Sequence, residues 1–273
     1  MKDALIVSAL SVVPRNRSAR AMGRLARSPA SRWMTQAFVR AYGVDLSEAD
    51  PPDLDAYPTL EALFTRRLRT GVRPIDDAAE ALVSPVDGAV AAVGRTAGGS
   101  IEVAPGQTLA LSELIDAPVE GERDVVVLYL SPKDYHRVHV PREGLVRAWR
   151  YVPGTLWPVF PAAVRRVRNL FSRNERVALR IDTDGGAMDF VLVGAFGVGR
   201  ITLSFCDLVT NAGGERAACE VDPPAVLLRG AEVGTFHLGS TVVLATEPGR
   251  WRFDVAPGDR VLVGGRIGGR AAP

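Results

Sequence analysis

Histidine is the side chain that most readily carries a proton near neutral pH, and this chain has three of them, His136, His139 and His237. Two lie at HxxH spacing in Asp134-Tyr135-His136-Arg137-Val138-His139-Val140-Pro141. Such a pair suits two metal ligands or general acid–base chemistry. On a strand, positions i and i+3 point to opposite faces, and on a helix no third carboxylate or cysteine completes a set. No metal is therefore assigned, and satisfied structural histidines are the plain alternative. Ser84-Pro85-Val86-Asp87-Gly88 sets an aspartate between proline and glycine, the composition of a turn whose carboxylate bonds its own backbone. Phe236-His237-Leu238-Gly239-Ser240-Thr241 runs into the apolar Val242-Val243-Leu244. A tight turn is the ordinary reading. Glycine before serine also tolerates strained backbone and leaves its carbonyl open to attack.

The elements that must position these residues divide the chain in two. Trp33, Phe38, Val39 and Tyr42 recur near helical spacing, and Leu60, Leu63, Phe64 and Leu68 form an i, i+3, i+4, i+8 stripe, the pattern of core-facing helix sides. Asp50-Pro51-Pro52 and Tyr57-Pro58 punctuate a loop between them. From about residue 82, short Val/Leu/Ile runs alternate with Gly, Pro and Asp, as in Ala89–Val93, Val125–Leu130, Leu145–Val152, Val177–Ile181, Phe190–Val193, Arg200–Phe205, Ala225–Leu228, Val242–Ala245 and Arg260–Val263. Frequent short strands separated by turn residues predict a β-rich body, with a small sheet or half-barrel from Pro248 to Gly269. The fold class is α+β, N-terminal helices followed by a β-rich body.

A chain of 273 residues, 47% hydrophobic, can bury a sizeable core. Net charge is only +2, but Arg15, Arg17, Arg20, Arg24, Arg27 and Arg32 gather near the start, where Asp3 is the only acid before Arg40. A basic head on a near-neutral body predicts an anionic surface as partner. With no zinc-finger spacing and no aromatics interleaved among the arginines, lipid headgroups are preferred and nucleic acid is not assigned. Ala4–Val13 is an apolar run shorter than the ~20 residues that span a bilayer, and reads as an interfacial segment. An ordinary N-terminal helix is the alternative. Cys206 and Cys219 form no CxxC pair, which fits a reducing compartment.

Taken together and in order, these segments resemble the phosphatidylserine decarboxylases, in particular their LGST-type bacterial branch. The resemblance is carried by Phe64-Thr65-Arg66-Arg67-Leu68-Arg69 with Val72-Arg73-Pro74-Ile75, by Ser84 to Gly88, by Asp134 to Pro141, by Asn169-Leu170-Phe171 with Asn174-Glu175-Arg176-Val177, and by Leu238-Gly239-Ser240-Thr241. It is weaker from Arg95 to Arg123 and over the first 30 residues, and His237 falls on a variable position, where a structural role is expected. The resemblance implies self-cleavage between Gly239 and Ser240, with Ser240 as nucleophile, His139 as its base and Asp87 as orienting acid. Ser240 would become a covalent pyruvoyl cofactor heading a short chain, 240–273, that stays packed on a long chain, 1–239. That group would form a Schiff base with phosphatidylserine and release phosphatidylethanolamine, with His136 as acid/base. It further implies a helical membrane-associating region over 1–70, a catalytic domain over 71–273, and peripheral placement on the cytoplasmic face of the cell membrane among anionic lipids, with a homodimer left open.

Rival readings make different demands. A metal-dependent hydrolase would use His136, His139 and an acid such as Asp87 or Asp134. A β-rich carrier would need a modifiable lysine, yet Lys2 and Lys133 are the only lysines and neither lies in the glycine-rich tail. A relative that cleaves itself but acts on another amine is the third.

Overall fold

The computed structural model describes residues 15–197 and 199–271, so the apolar run Ala4–Val13 lies outside the described residues. Helices Arg15–Arg27, Arg32–Tyr42 and Leu60–Phe64 precede the larger sheets, and the architecture is α+β. The helix Leu60–Phe64 begins where Thr59 caps it, its side chain accepting from the Ala62 N–H. It buries Leu60, Leu63 and Phe64. The stripe stops there: Leu68 sits in a two-residue strand, Arg67–Leu68, paired with Ala49–Asp50. The other stripe is a core face only in part. Phe38 and Val39 pack on a small cluster around Leu60 and Leu63, but Trp33 is 74% exposed and Tyr42 49%.

The body is an eight-stranded antiparallel sheet in the order Ala217–Leu227, Gly144–Val152, Arg176–Thr183, Gly186–Gly194, Ser240–Thr246, Asp124–Leu130, Gly88–Arg95, Arg260–Val261. Successive side chains of a strand face opposite sides, and here both sides are covered. Val126, Leu128, Val242 and Leu244 enter one core, and Val125, Val127, Val243 and Ala245 enter the other. Double burial explains why these strands read as unbroken apolar runs. Ser240–Thr246 is buried at every position.

Two three-stranded sheets flank this body. Arg137–His139 and Ile201–Leu203 pair on either side of Glu232–Phe236. Trp251–Phe253 and Ala81–Val83 pair on either side of Arg266–Arg270, which is the small sheet expected of the tail. Several of these strands are too short or too rich in glycine and arginine to show a period. The strand expected at Ala225–Leu228 starts earlier, at Ala217, and its pairing shifts register between Glu220 and Ala225. A bulge of this kind interrupts alternation and hides a strand from a periodicity argument.

Candidate active site

Ser240 opens the central strand, paired with Leu130 on one side and Gly194 on the other. Its residue is fully buried, and its Oγ has no hydrogen-bond partner among the described residues; the same holds for Oγ1 of Thr241. An orphaned buried hydroxyl costs about 1–3 kcal/mol, so a free Oγ at a Gly-Ser junction points to a functional site. Gly239 stands in the left-handed region at φ +67°, and a Cβ there would lie 2.9 Å from the Phe196 carbonyl oxygen. Only glycine fits without strain. The Gly239 carbonyl accepts from the Ala195 N–H at 3.1 Å, which polarises the group that the hydroxyl would attack and would stabilise the charge developing on it.

That N–H is set in place by the Asn174-Glu175 segment. Asn174 accepts from the Trp157 N–H at 2.8 Å and donates to the Gly194 carbonyl at 3.0 Å. The Glu175 carbonyl accepts from the Gly194 N–H at 2.8 Å. The end of the neighbouring strand is thereby pinned just where Ala195 meets Gly239.

His139 ends the short strand Arg137–His139. Its Nδ1 lies 2.8 Å from the Gly230 carbonyl, which can only accept, so Nδ1 carries the hydrogen and Nε2 keeps a lone pair. The Tyr135 hydroxyl donates to that Nε2 at 3.1 Å. Burial pushes His139 below its ordinary value near 6.5, partly opposed by the Gly230 bond and by the charges of Glu232 and Asp87. Burial likewise pushes Tyr135 up to about 12, so its hydroxyl stays protonated. The ring is a neutral base of fixed tautomer.

His136 is fully buried and packs on Phe64 with ring centroids 4.0 Å apart and the planes tilted by 43°. Its Nδ1 donates to the Asp134 carbonyl at 2.8 Å, and its Nε2 has no partner among the described residues. Burial pulls it down to about 3. The Phe64-Thr65-Arg66 segment builds this setting. Arg66 donates to the Lys133 carbonyl at 2.8 Å, and Arg137 donates to the Thr65 carbonyl at 3.0 Å.

Asp87 is buried, but it is not hydrogen-bonded to His139. Arg73 forks onto its carboxylate with contacts of 2.7–3.1 Å, the Val263 N–H donates at 2.8 Å, and Arg73 also reaches Glu48 at 2.7 Å. Those bonds push Arg73 further up, against the effect of its burial. Asp87 acts on His139 through its field alone. Removing one partner of a buried pair strands the other charge, so Arg73→Ala should cost about 3–5 kcal/mol, read by urea denaturation of the uncleavable Ser240→Ala chain. A loss below about 1 kcal/mol, the range of an exposed pair, would show that Asp87 does not depend on Arg73.

His237 donates through Nδ1 to Glu61 at 2.9 Å, and Thr202 Oγ1 lies 3.1 Å from its other ring nitrogen. It therefore ties the segment leading to Gly239 to the helix Leu60–Phe64, the structural role expected of it. Burial pushes the Glu61 carboxylate up, but the His237 bond and the charges of Arg200 and Arg27 outweigh that and hold it below its usual range. Among the described residues no group of three or more His, Cys, Asp and Glu side chains is gathered as a metal would require. Sequence reasoning missed the Ala195 N–H and the Gly230 carbonyl, backbone groups that act through position rather than type, and it gave Tyr135, inside a quoted segment, no task. Arg73 lay inside a quoted segment without an assigned task.

A pyruvoyl group formed at residue 240 would suit this environment, which presents an orphaned hydroxyl, a strained glycine ahead of it and buried neutral histidines. A family model described as phosphatidylserine decarboxylase matches residues 60–269. A phosphatidylserine decarboxylase proenzyme of Anaeromyxobacter sp. (strain K) is 43% identical over 99% of this chain and 100% of the relative. Proenzymes of the same name from Marinobacter nauticus and Bordetella petrii are 40% and 41% identical, over 98% and 95% of this chain and 98% and 94% of theirs. The chain belongs to the phosphatidylserine decarboxylase family.

Proposed function

We propose that this protein decarboxylates phosphatidylserine to phosphatidylethanolamine after cutting itself between Gly239 and Ser240. The observation that carries the reading is the buried, unpartnered Ser240 Oγ following a left-handed Gly239 whose carbonyl accepts from Ala195 N–H. Ser240 Oγ adds to the Gly239 carbonyl carbon and the amide nitrogen departs, replacing the amide by an ester. Loss of the Ser240 α-proton then expels the Gly239 carboxylate and leaves a dehydroalanine. Water adds, ammonia leaves, and residues 240–273 begin with a pyruvoyl group. His139 serves as the base for the hydroxyl proton. For direct transfer its Nε2 must exchange the bond from Tyr135 for one from Ser240, with Ala195 N–H holding the oxygen that gains charge.

The pyruvoyl group supplies an electron sink for the carbanion left when carbon dioxide departs. His136, neutral and with Nε2 unpaired, is suited to exchange a proton at the substrate's α-carbon. The long and short chains stay together because Ser240–Thr246 pairs on both sides with strands of the long chain. Burying each of Val242, Val243 and Leu244 adds about 1.5–3 kcal/mol.

Peripheral placement on the cytoplasmic face of a membrane is part of the proposal. No helix among the described residues is long and apolar enough to cross a membrane. The N-terminal helices expose Met22, Leu25 and Trp33 beside arginines, a combination suited to an anionic interface. Cys206 and Cys219 are free thiols, as a reducing compartment permits.

Vesicles containing phosphatidylserine, incubated with the wild-type protein, should accumulate phosphatidylethanolamine by lipid mass spectrometry. Prior treatment with hydroxylamine should abolish turnover. Absence of phosphatidylethanolamine would overturn the substrate, and full activity after hydroxylamine would overturn the carbonyl cofactor.

A further inference from the structure

The helix Arg15–Arg27 carries Arg20, Arg24 and Arg27 at i, i+4 and i+7, a single stripe. It buries Ala19, Gly23 and Ala26, with Ala26 in the cluster of Tyr57, Leu60 and Leu63, and these small residues let the helix approach closely while the arginine stripe stays at the surface. Between that stripe, Arg200 and the segment Val209–Ala212 lies a cavity of about 400 Å³. Four arginines are among the residues that line it and no acidic residue is.

The partners of these arginines leave positive charge to spare. Arg27 and Arg200 share one carboxylate, Glu61, at 3.7 and 3.3 Å. Arg20 donates to the neutral Asn211 side chain at 3.3 Å, and Arg24 pairs with no carboxylate among the described residues. The other acid nearby, Glu175, is buried behind the cavity, bonded by the Tyr151 hydroxyl at 2.7 Å and by the Asn211 N–H. Burial pushes Glu175 up, which weakens its claim on the arginines.

Converging guanidinium forks are the recognition chemistry of phosphate oxygens. The surroundings say where that phosphate comes from. Met22 and Leu25 are exposed on the same helix, and Val209, on the cavity wall, is 38% exposed. Apolar side chains beside arginines fit the boundary of a bilayer rather than open water. Through Glu61 and its bond from His237, the cavity is also joined to the segment that carries Gly239 and Ser240.

We propose that this cavity is a phosphodiester site, in which Arg20, Arg24, Arg27 and Arg200 take the headgroup phosphate of an acidic phospholipid. The inference rests on the lipid reading above and names the side chains that meet the lipid's charge. Two sources share this chemistry, the substrate itself and a neighbouring acidic lipid.

The test is calorimetric titration of the full-length Ser240→Ala chain with sn-glycero-3-phosphoserine and, separately, sn-glycero-3-phosphoglycerol. Because this chain needs neither cleavage nor turnover, the result is independent of whether the decarboxylation reading holds. Binding should weaken about tenfold or more when two charge-assisted partners are lost in Arg20→Gln/Arg24→Gln. Arg17→Gln, exposed on the same helix but outside the cavity, should stay within about twofold, as expected of a screened surface charge. Binding of the serine compound alone assigns the site to the substrate headgroup, whereas equal binding of both assigns it to acidic phospholipid in general. No binding of either compound, or equal weakening by Arg17→Gln and the double variant, would overturn the proposal. Arg20 and Arg24 are exposed, so circular dichroism should report an unchanged fold in every variant.

Discussion

Purified wild-type protein should yield two chains by intact mass spectrometry, residues 1–239 and 240–273, whereas Ser240→Ala should remain a single uncut chain. The short chain should be lighter by one ammonia than a peptide starting with serine, since the Ser240 oxygen leaves with the Gly239 carboxylate, water replaces it as the ketone oxygen, and ammonia departs. The expected effect is all or none because no other hydroxyl can take the place of Ser240 against the Gly239 carbonyl: the Thr241 side chain points to the opposite face of the strand. Both wild-type chains should elute together from a sizing column under native conditions, because the short chain supplies the central strand of the sheet. An uncut chain from freshly purified, active wild-type material would remove the pyruvoyl mechanism altogether.

The second large effect separates the two histidines. His139→Ala should leave the chain uncut, or cut about 10²–10⁴ times more slowly, the usual contribution of a positioned base. His136→Ala should cut and then fail to decarboxylate, with turnover lower by a similar factor. The environments support the division: His139 has its Nδ1 hydrogen fixed by Gly230 and its lone pair facing Tyr135, while His136 Nε2 is unpaired. Tyr135→Phe keeps the ring and removes the bond to His139, so it should change the cleavage rate without touching His136. The pH dependence follows from the direction of the shift. Burial lowers His139 from its ordinary 6.5, so the ring stays neutral and basic to a lower pH than an exposed histidine does. Cleavage of freshly refolded precursor should therefore hold level below pH 8 and decline with a midpoint below about 6.5, the value of an exposed histidine. The same sign holds for stability, because protons bind the unfolded ring more readily and stability falls as pH drops through its unfolded value. Identical cleavage defects in His136→Ala and His139→Ala would end the division of labour, and a midpoint at or above 6.5 would contradict the burial of the base.

Much of this could be read along the chain because the signals are local. Apolar runs bounded by glycine and proline marked the central strands, since a doubly buried strand has no polar face to disguise it. Glycine at 239 left room for a strained backbone ahead of Ser240, and the structure has it at φ +67°. The ordered segments pointed to the family before any geometry was known. Other local patterns misled: the stripe through Leu68 ran past the end of its helix, and Trp33 and Tyr42 turned outward. Helical spacing records which side chains share a face, not whether anything packs against it. What only the tertiary structure decided are contacts between segments far apart in sequence, set by strand order and register. Ala195 N–H reaches the Gly239 carbonyl because Gly194 pairs with Ser240. The Gly230 carbonyl fixes the tautomer of His139, and Asp87 is claimed by Arg73 and Val263 rather than by the histidine. The arginine cavity exists because one helix stripe lies over Arg200 and the Val209–Ala212 segment. Residue types and spacing named the groups able to react; the fold determined which of their atoms are left without partners, and those are the atoms available for chemistry.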